Sequence, residues 1–129
     1  MKQYCPQGID IFFDLVGGKI LDAALMQMKL GGRIPCAGMV SQYNLPHDQR
    51  YGLKNLHSIV GMDITIQSYR SSSWEHLAAE MREDLEVRLS DGTMKFKTHV
   101  AEGLENLPAP FCGMFTGESF GKTVVKVSS

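Results

Sequence analysis

The sequence of 129 residues lacks the features that mark several classes of protein. Its longest apolar runs fall far short of the ~20 residues that span a bilayer, and the first twenty residues carry no signal-peptide pattern. It has 13 Lys and Arg against 14 Asp and Glu, without a basic run. That charge pattern is not typical of proteins that bind nucleic acid or anionic membranes. We therefore expect a soluble, cytoplasmic globular protein with neither partner.

Cysteine and histidine are too few and too scattered for a disulfide framework or a metal site. The three cysteines, at positions 5, 36 and 112, are odd in number and contain no C-x-x-C pair. The four histidines, at positions 47, 57, 76 and 99, lack the spacing of metal ligands. The sequence therefore predicts a reduced compartment and no metal.

A glycine-rich nucleotide-binding motif is also absent. No G-x-G-x-x-G opens any predicted strand–helix junction, and no acidic residue stands about twenty positions beyond one. If the fold binds a dinucleotide, the diphosphate-binding half does not lie in these residues.

The periodicity of apolar residues predicts a βαβ unit in the first forty residues. A β-branched and aromatic run, Ile9–Phe13, is typical of a buried strand. The helical stripe from Ile20 to Met28 predicts a helix that ends at Gly31-Gly32. The run 33–40 predicts a second strand, with Pro35 near its start because proline interrupts a central ladder. This order implies parallel strands and a right-handed crossover.

Beyond residue 40 the pattern predicts a loop, a third strand and a longer helix. The strand is Met62–Ser68, preceded by a short helix around 53–60. A Ser72–Glu75 capping box predicts the start of the longer helix, which Ser90-Asp91-Gly92 ends. Its core stripe comprises Trp74, Leu77, Ala78, Met81 and Leu85. The tail then predicts a strand around 96–100, a helix from Pro108 to Gly117 and a last strand at 122–127.

Two predicted loops mark the place where a parallel sheet binds ligands, beyond the carboxyl ends of its strands. They are Asp14–Gly18 and Gly38–Asn44. The glycines in the first either let a ligand approach the backbone or only turn the strand into the helix. Asp14 is either a ribose contact or, more commonly for such a residue, a capping carboxylate. Tyr43 is either a hydroxyl donor in a site or a surface residue.

Four stretches resemble motifs of the zinc-independent medium-chain dehydrogenase/reductase family. Residues 8–18 (GIDIFFDLVGG) are similar to its GxDxYFDNVGG strand and turn. Gly32–Ile34, with Gly38 and Ser41–Asn44, is similar to GRI…CGAISxYN. Two further stretches resemble EGLENxPxAF and GxNxGKxVVKV, at 102–108 and 117–127. The likeness is to the prostaglandin reductase, curcumin reductase and plant double-bond reductase branch.

The resemblance implies an α/β fold that is only part of the family's structure. In the family a GroES-like catalytic domain precedes a Rossmann domain, after which the chain returns to the catalytic domain. Residues 1–93 would be the C-terminal half of the Rossmann-type parallel sheet with flanking helices. Residues 94–129 would be the β-α-β return segment.

The resemblance also implies NADP(H) as cofactor and hydride transfer to the C=C bond of α,β-unsaturated aldehydes and ketones. In this reaction, charge develops on the carbonyl oxygen, and the family's counterpart of Tyr43 is suited to donate its hydroxyl there. The implied cofactor-binding residues are Ala37, Gly38, Met39, Val40, Ser41, Gln42, Tyr43, Thr65, Ile66, Gln67 and Ser119.

Two departures from the family motifs leave a second interpretation open. Leu15 and Ser119 stand where the family has asparagines, so two amide contacts to the cofactor are lost. The chain is then either part of an enone reductase or a non-catalytic remnant that serves as an interaction module. The family pairs the edge strand 62–68 across a two-fold axis, which implies a homodimer here.

Overall fold

The structure is a computed structural model that describes residues 1–118 and 120–127. The chain forms two compact units, Met1–His76 and Leu77–Ser129. The predicted division at residue 93 concerns the domains of the family and stays a prediction. The strands are β1 (Ile9–Ile11), β2 (Met28–Cys36), β3 (Thr65–Ser68), β4 (Thr98–Glu102) and β5 (Lys122–Lys126). The main helices are α1 (Gly18–Leu25), α2 (His57–Gly61), α3 (Ala78–Ser90) and α4 (Pro108–Thr116).

The first unit contains a three-stranded parallel sheet in the order β1-β2-β3, which confirms the predicted βαβ unit and the α/β class. Helix α1 contributes Leu21 and Leu25 to the core, where they meet Ile34 of β2 and Ile64. All four side chains are at most 5% exposed. At roughly 1.5–3 kcal/mol for each buried aliphatic side chain, this cluster holds α1 to the sheet.

The predicted end of the first helix is wrong. Helix α1 ends at Leu25, and the Gly31-Gly32 pair lies inside β2. Met28 is buried as the helical stripe requires, but it is the first residue of β2. Helical and extended chains can both bury one residue at that point, so periodicity did not distinguish them. The extra residues of β2 form an irregularity in its pairing with β1.

The predicted position of Pro35 is also wrong. It lies next to the end of β2, opposite Gln67 of β3, in the central strand. Its carbonyl accepts the Asp14 N–H at 2.9 Å, so this peptide unit faces β1. Because proline has no N–H to donate to β1, one hydrogen bond is missing from the β1–β2 ladder at this point. The regular part of β1 accordingly stops at Ile11, and Asp14 rejoins β2 through a single bridge to Cys36.

The helix predicted to begin at Ser72 begins later. Residues Ser71–Leu77 form 3-10 turns with a kink at Trp74, and α3 starts at Ala78 without a side-chain cap. The predicted core stripe is not buried. Trp74 and Leu77, which precede α3, are 41% and 40% exposed, and every residue of α3 is half-buried or exposed. Met81, for example, is 52% exposed. The predicted end is confirmed, since α3 stops at Ser90.

The second unit contains the predicted β-α-β tail. Strands β4 and β5 pair in parallel from Thr98↔Lys122 to Glu102↔Lys126. Helix α4 begins with Pro108 in its first turn and ends at a left-handed Gly117, as the sequence predicts. None of the helices in the described residues is long and apolar enough to cross a membrane.

Candidate functional site

The loops after β1 and β2 meet at one edge of the first sheet. Because the strands are parallel, Ile11, Cys36 and Ser68 end at the same side. The peptide N–H groups of Ala37 and Gly38 both donate to the Asp14 carbonyl, at 2.8 and 3.2 Å. The structure therefore brings the two predicted loops together at the carboxyl ends of the strands.

The same two loops stay bonded further along the chain. The Val40 N–H donates to the Leu15 carbonyl and the Ser41 N–H to the Val16 carbonyl, both at 3.1 Å. The Ser41 hydroxyl donates to the Val16 carbonyl as well, at 2.6 Å. The loop 37–43 is thus bonded to the β1 loop by two main-chain bonds and by the Ser41 side chain.

Asp14 is fully buried beneath this junction. Its Oδ1 accepts the N–H groups of Val16 and Gly17 at 3.0 and 2.9 Å. Both groups precede α1, which has no side-chain cap, so Asp14 fixes the turn before the helix and the capping interpretation is wrong. Burial first, and the nearby Asp14 charge second, raise the pKa of the Cys36 thiol. The thiol therefore stays protonated at neutral pH, in keeping with its predicted role as a small packing residue.

Glycine at position 18 is required by the close approach of the second loop. Its φ is +56°, and a Cβ there would lie 2.5 Å from Gln42 Nε2 and 2.9 Å from Ser41 Oγ. Gly17 is similarly covered by Met39. The chain's own loop therefore occupies the space beside the start of α1, which favours the structural interpretation of the glycine pair.

Gln42 bridges two parts of the chain. Its Nε2 donates to Ser41 Oγ at 2.7 Å, and its Oε1 accepts the Tyr51 N–H at 2.7 Å. Ser41 and Gln42, both predicted to bind cofactor, therefore use their side chains to hold the loop. What they can offer a ligand is mainly backbone.

Tyr43 carries its hydroxyl back over its own loop. The phenol oxygen accepts the Met39 N–H at 2.9 Å and lies beside Gly38. Because the oxygen is the acceptor in this bond, its own O–H remains available to a third group. Tyr43 is 63% exposed as a residue and this hydrogen bond lies at the surface, so the hydroxyl is fixed at an exposed position.

The second group of predicted residues lies along β3. Thr65 and Gln67 line an open groove of about 310 Å³ on the sheet face, and Ile66 pairs with Ile34. The groove is also lined by Arg33, Ile34, Pro35, Ser68, Tyr69 and Trp74. The Tyr69 N–H donates to the Cys36 carbonyl at 2.8 Å, so the groove reaches the edge where the loops meet. Ser119 lies outside the described residues.

Sequence reasoning missed a buried carboxylate on α1. Asp22 is only 5% exposed. Its Oδ1 accepts the N–H groups of Lys54 and Asn55, at 2.8 and 2.9 Å. Its Oδ2 accepts the Tyr51 hydroxyl and the Asn55 amide, both at 3.0 Å. The available signal was a lone charge next to Leu21 in the apolar stripe.

Hydrogen bonds outweigh burial in setting the acidity of this carboxyl. Desolvation alone would raise the pKa of Asp22, but the Asn55 N–H, the Tyr51 hydroxyl and the Lys54 N–H together hold it below its usual value. A lowered folded-state pKa gives stability that is complete above the ordinary value. That stability is lost as the pH falls through the lowered one.

We expect Asp22→Asn to remove part of the acid sensitivity of the first unit. At neutral pH the variant should melt roughly 5 °C or more below the parent, because several carboxylate bonds are lost. The gap should narrow at an acid pH below 3.8, the ordinary pKa of this carboxyl, because the folded-state pKa lies lower and the parent protonates only there. Thermal melts at both pH values measure it. A difference in melting temperature that is the same at both pH values would contradict the inference that Asp22 is charged in the folded protein.

The parallel sheet and the two loops that meet at its carboxyl edge, called the crevice below, define a class, the C-terminal half of a Rossmann-type nucleotide-binding fold. No protein-family model matches the chain. It is 41% identical over 128 residues to the NADP(+)-dependent 2-alkenal reductase of Nicotiana tabacum. It is 37% identical over 128 residues to (+)-pulegone reductase of Mentha piperita. Each match covers 99% of this chain and 37% of the relative.

A solved structure shows the same likeness. CurA of Vibrio vulnificus in complex with NADPH aligns with a TM-score of 0.80 at 33% identity, over 99% of this chain and 39% of CurA. The chain is homologous to the C-terminal part of zinc-independent medium-chain dehydrogenases/reductases, which confirms the resemblance. The tobacco reductase is NADP(+)-dependent and CurA binds NADPH, which agrees with the predicted cofactor. The chain spans about two-fifths of their length or slightly less.

Proposed function

We propose that this chain supplies the nicotinamide side of the active site of a cytoplasmic NADPH-dependent reductase of α,β-unsaturated aldehydes and ketones. The observation that carries the proposal is the fixed loop 37–43, which holds an accessible Tyr43 hydroxyl at the carboxyl edge of the sheet. The homology to alkenal and pulegone reductases supplies the reaction class.

The crevice suits the nicotinamide end of the cofactor better than its phosphates. Leu15, Met39 and Tyr43 are 55%, 46% and 63% exposed, and together they give an apolar and aromatic surface for a flat ring. The start of α1, the natural place for a phosphate, is covered by Met39 and Gln42. The diphosphate contacts of the proposed enzyme therefore come from outside these residues.

The proposed role of Tyr43 follows from the charge that the reaction creates. NADPH supplies the hydride that adds to the β-carbon of the enone. The carbonyl oxygen then becomes enolate-like, and a hydroxyl donor fixed beside it lowers the barrier. The Met39 N–H holds the phenol oxygen in place and leaves its proton for this oxygen. The main chain of residues 37–43 and of β3 orients the ring.

A second candidate function, a non-catalytic remnant, is favoured by Leu15. Its side chain is 55% exposed near the crevice and cannot replace the amide that the family has there. The two functions differ in one measurable property, which is whether the loop 37–43 supports hydride transfer.

A chimera tests the proposal against the remnant. These residues would replace the matching 37% of the tobacco 2-alkenal reductase, so that its own diphosphate site is kept. We expect the chimera to oxidise NADPH when an alkenal is added, measured by absorbance. The intact tobacco enzyme is the control. A chimera that folds, binds NADPH and reduces no alkenal would favour the remnant.

The proposal includes a homodimer formed through β3. This strand is an edge of the sheet in the described residues, and it pairs on its inner side with β2. An uncovered edge invites pairing with another chain. We expect sedimentation at micromolar concentration to show a dimer and the Thr65–Ser68 amides to exchange slowly with solvent. A monomer with freely exchanging β3 amides would refute it.

A further inference from the structure

From the hydrogen bonds around Asp22 we infer that this residue is a positioning residue for the loop 37–43. It would act through the segment 51–55 and Gln42 to hold that loop in its ligand-ready conformation. The inference rests on the proposed function for its purpose, but the positioning itself can be measured without any cofactor.

Hydrogen bonds of Asp22 join α1 to the segment 51–55. Asp22 accepts four hydrogen bonds from Tyr51, Lys54 and Asn55, and its carbonyl accepts a fifth from the Asn55 amide at 3.2 Å. Bonds to a buried carboxylate are stronger than neutral ones, because both oxygens carry charge in a poorly solvated place. This group of contacts, Asp22 with residues 51–55, is called the clasp below.

Tyr51 joins the clasp to the loop 37–43. Tyr51 donates its hydroxyl to Asp22 and its N–H to Gln42 Oε1, at 3.0 and 2.7 Å. One residue of the clasp therefore bonds to α1 on one side and to the loop on the other. Asp22 makes no hydrogen bond to the loop itself among the contacts of the described residues.

The loop 37–43 is attached on two sides. On its inner side the loop is bonded to the Leu15 and Val16 carbonyls. On its outer side the Gln42 side chain extends from Ser41 Oγ to the clasp. The loop is therefore attached on both sides, to the β1 loop and to the clasp. Tyr43 follows Gln42 directly in the chain, and the Met39 N–H of the same loop holds its hydroxyl.

The experiment measures amide hydrogen exchange in the 129-residue chain. In Asp22→Asn the new NH₂ group faces donors, so the clasp loses bonds. We expect the Tyr51, Val40 and Ser41 amides to exchange roughly tenfold faster or more. The core amide of Ile34 should then change much less. Gln42→Ala should speed Val40 and Ser41 but leave Lys54 and Asn55 protected.

Asp10→Asn is the matched control. Asp10 undergoes the same chemical change, but it forms an exposed ion pair with Lys29 at 2.8 Å, away from the loop. It should leave the Val40 and Ser41 amides unchanged. Unaltered loop exchange in Asp22→Asn, or an equal increase at every amide including Ile34, would overturn the inference. An NADPH titration of the same samples tests the proposed function separately, because loop exchange is read without cofactor.

Discussion

Replacing Tyr43 by phenylalanine in the alkenal reductase chimera is expected to lower kcat by a factor on the order of 10²–10³. The substitution keeps the ring and removes the O–H that would donate to the enolate oxygen. It also removes the acceptor of the Met39 N–H, so some loosening of the loop accompanies the loss. Steady-state rates of NADPH oxidation with an alkenal, together with the NADPH dissociation constant, separate the two effects.

The matched control is Tyr4→Phe. Tyr4 is 83% exposed near the beginning of the chain, so the same change should leave kcat unaltered. We expect the affinity for NADPH to change little in Tyr43→Phe, because the hydroxyl acts on the substrate. A Tyr43→Phe chimera with the parent rate would show that Tyr43 is only a loop residue.

Gly121→Ala is expected to have the largest effect on stability. Gly121 has a φ of +95°, and a Cβ there would fall on the Lys97 carbonyl group, 2.7 Å from its carbon. That carbonyl accepts the Lys122 N–H at 2.8 Å, next to the first pair of the β4–β5 ladder. Backbone strain and the loss of this bond should together cost about 2 kcal/mol or more. Urea unfolding, followed by circular dichroism, measures the loss.

Gly92→Ala is the control that separates the steric clash of a new Cβ from the strain of a left-handed backbone. Gly92 has a φ of +76°, but a Cβ there would meet nothing within 4 Å. It should cost only about 1 kcal/mol, from the left-handed backbone alone. Equal losses in the two variants would show that the approach of Lys97 to Gly121 contributes nothing.

Local signals predicted the elements that one short stretch determines. The strand at Ile9, the helix that carries Leu21 and the helix end at Gly117 all follow from periodicity or from one turn residue. Where two structures satisfy the same pattern, the prediction failed. Met28 is buried at the start of a strand as well as it would be at the end of a helix. Likewise, the Ser72–Glu75 pattern ended in 3-10 turns instead of a helix start.

The sequence predicted where the candidate site lies, but not the hydrogen bonds that hold its loops. Strand order alone puts the loop of Tyr43 beside the loop of Asp14, because parallel strands end at one edge. Asp22, by contrast, bonds to partners 29 to 33 residues away. No spacing rule relates a carboxylate on a helix to a segment that distant. Such contacts depend on tertiary packing, which the sequence pattern does not encode locally.

The central claim is that residues 37–43 and the end of β3 form the nicotinamide side of an NADPH site. An NMR titration of the 129-residue chain with NADPH tests it most directly. The account predicts weak binding, with a Kd no tighter than about 1 mM, because the chain's own loop covers the start of α1 and the sequence has no G-x-G-x-x-G motif. The amide shifts should be confined to Leu15, Gly38–Tyr43 and Thr65–Tyr69. Tight binding, or shifts centred on another part of the chain, would contradict the account.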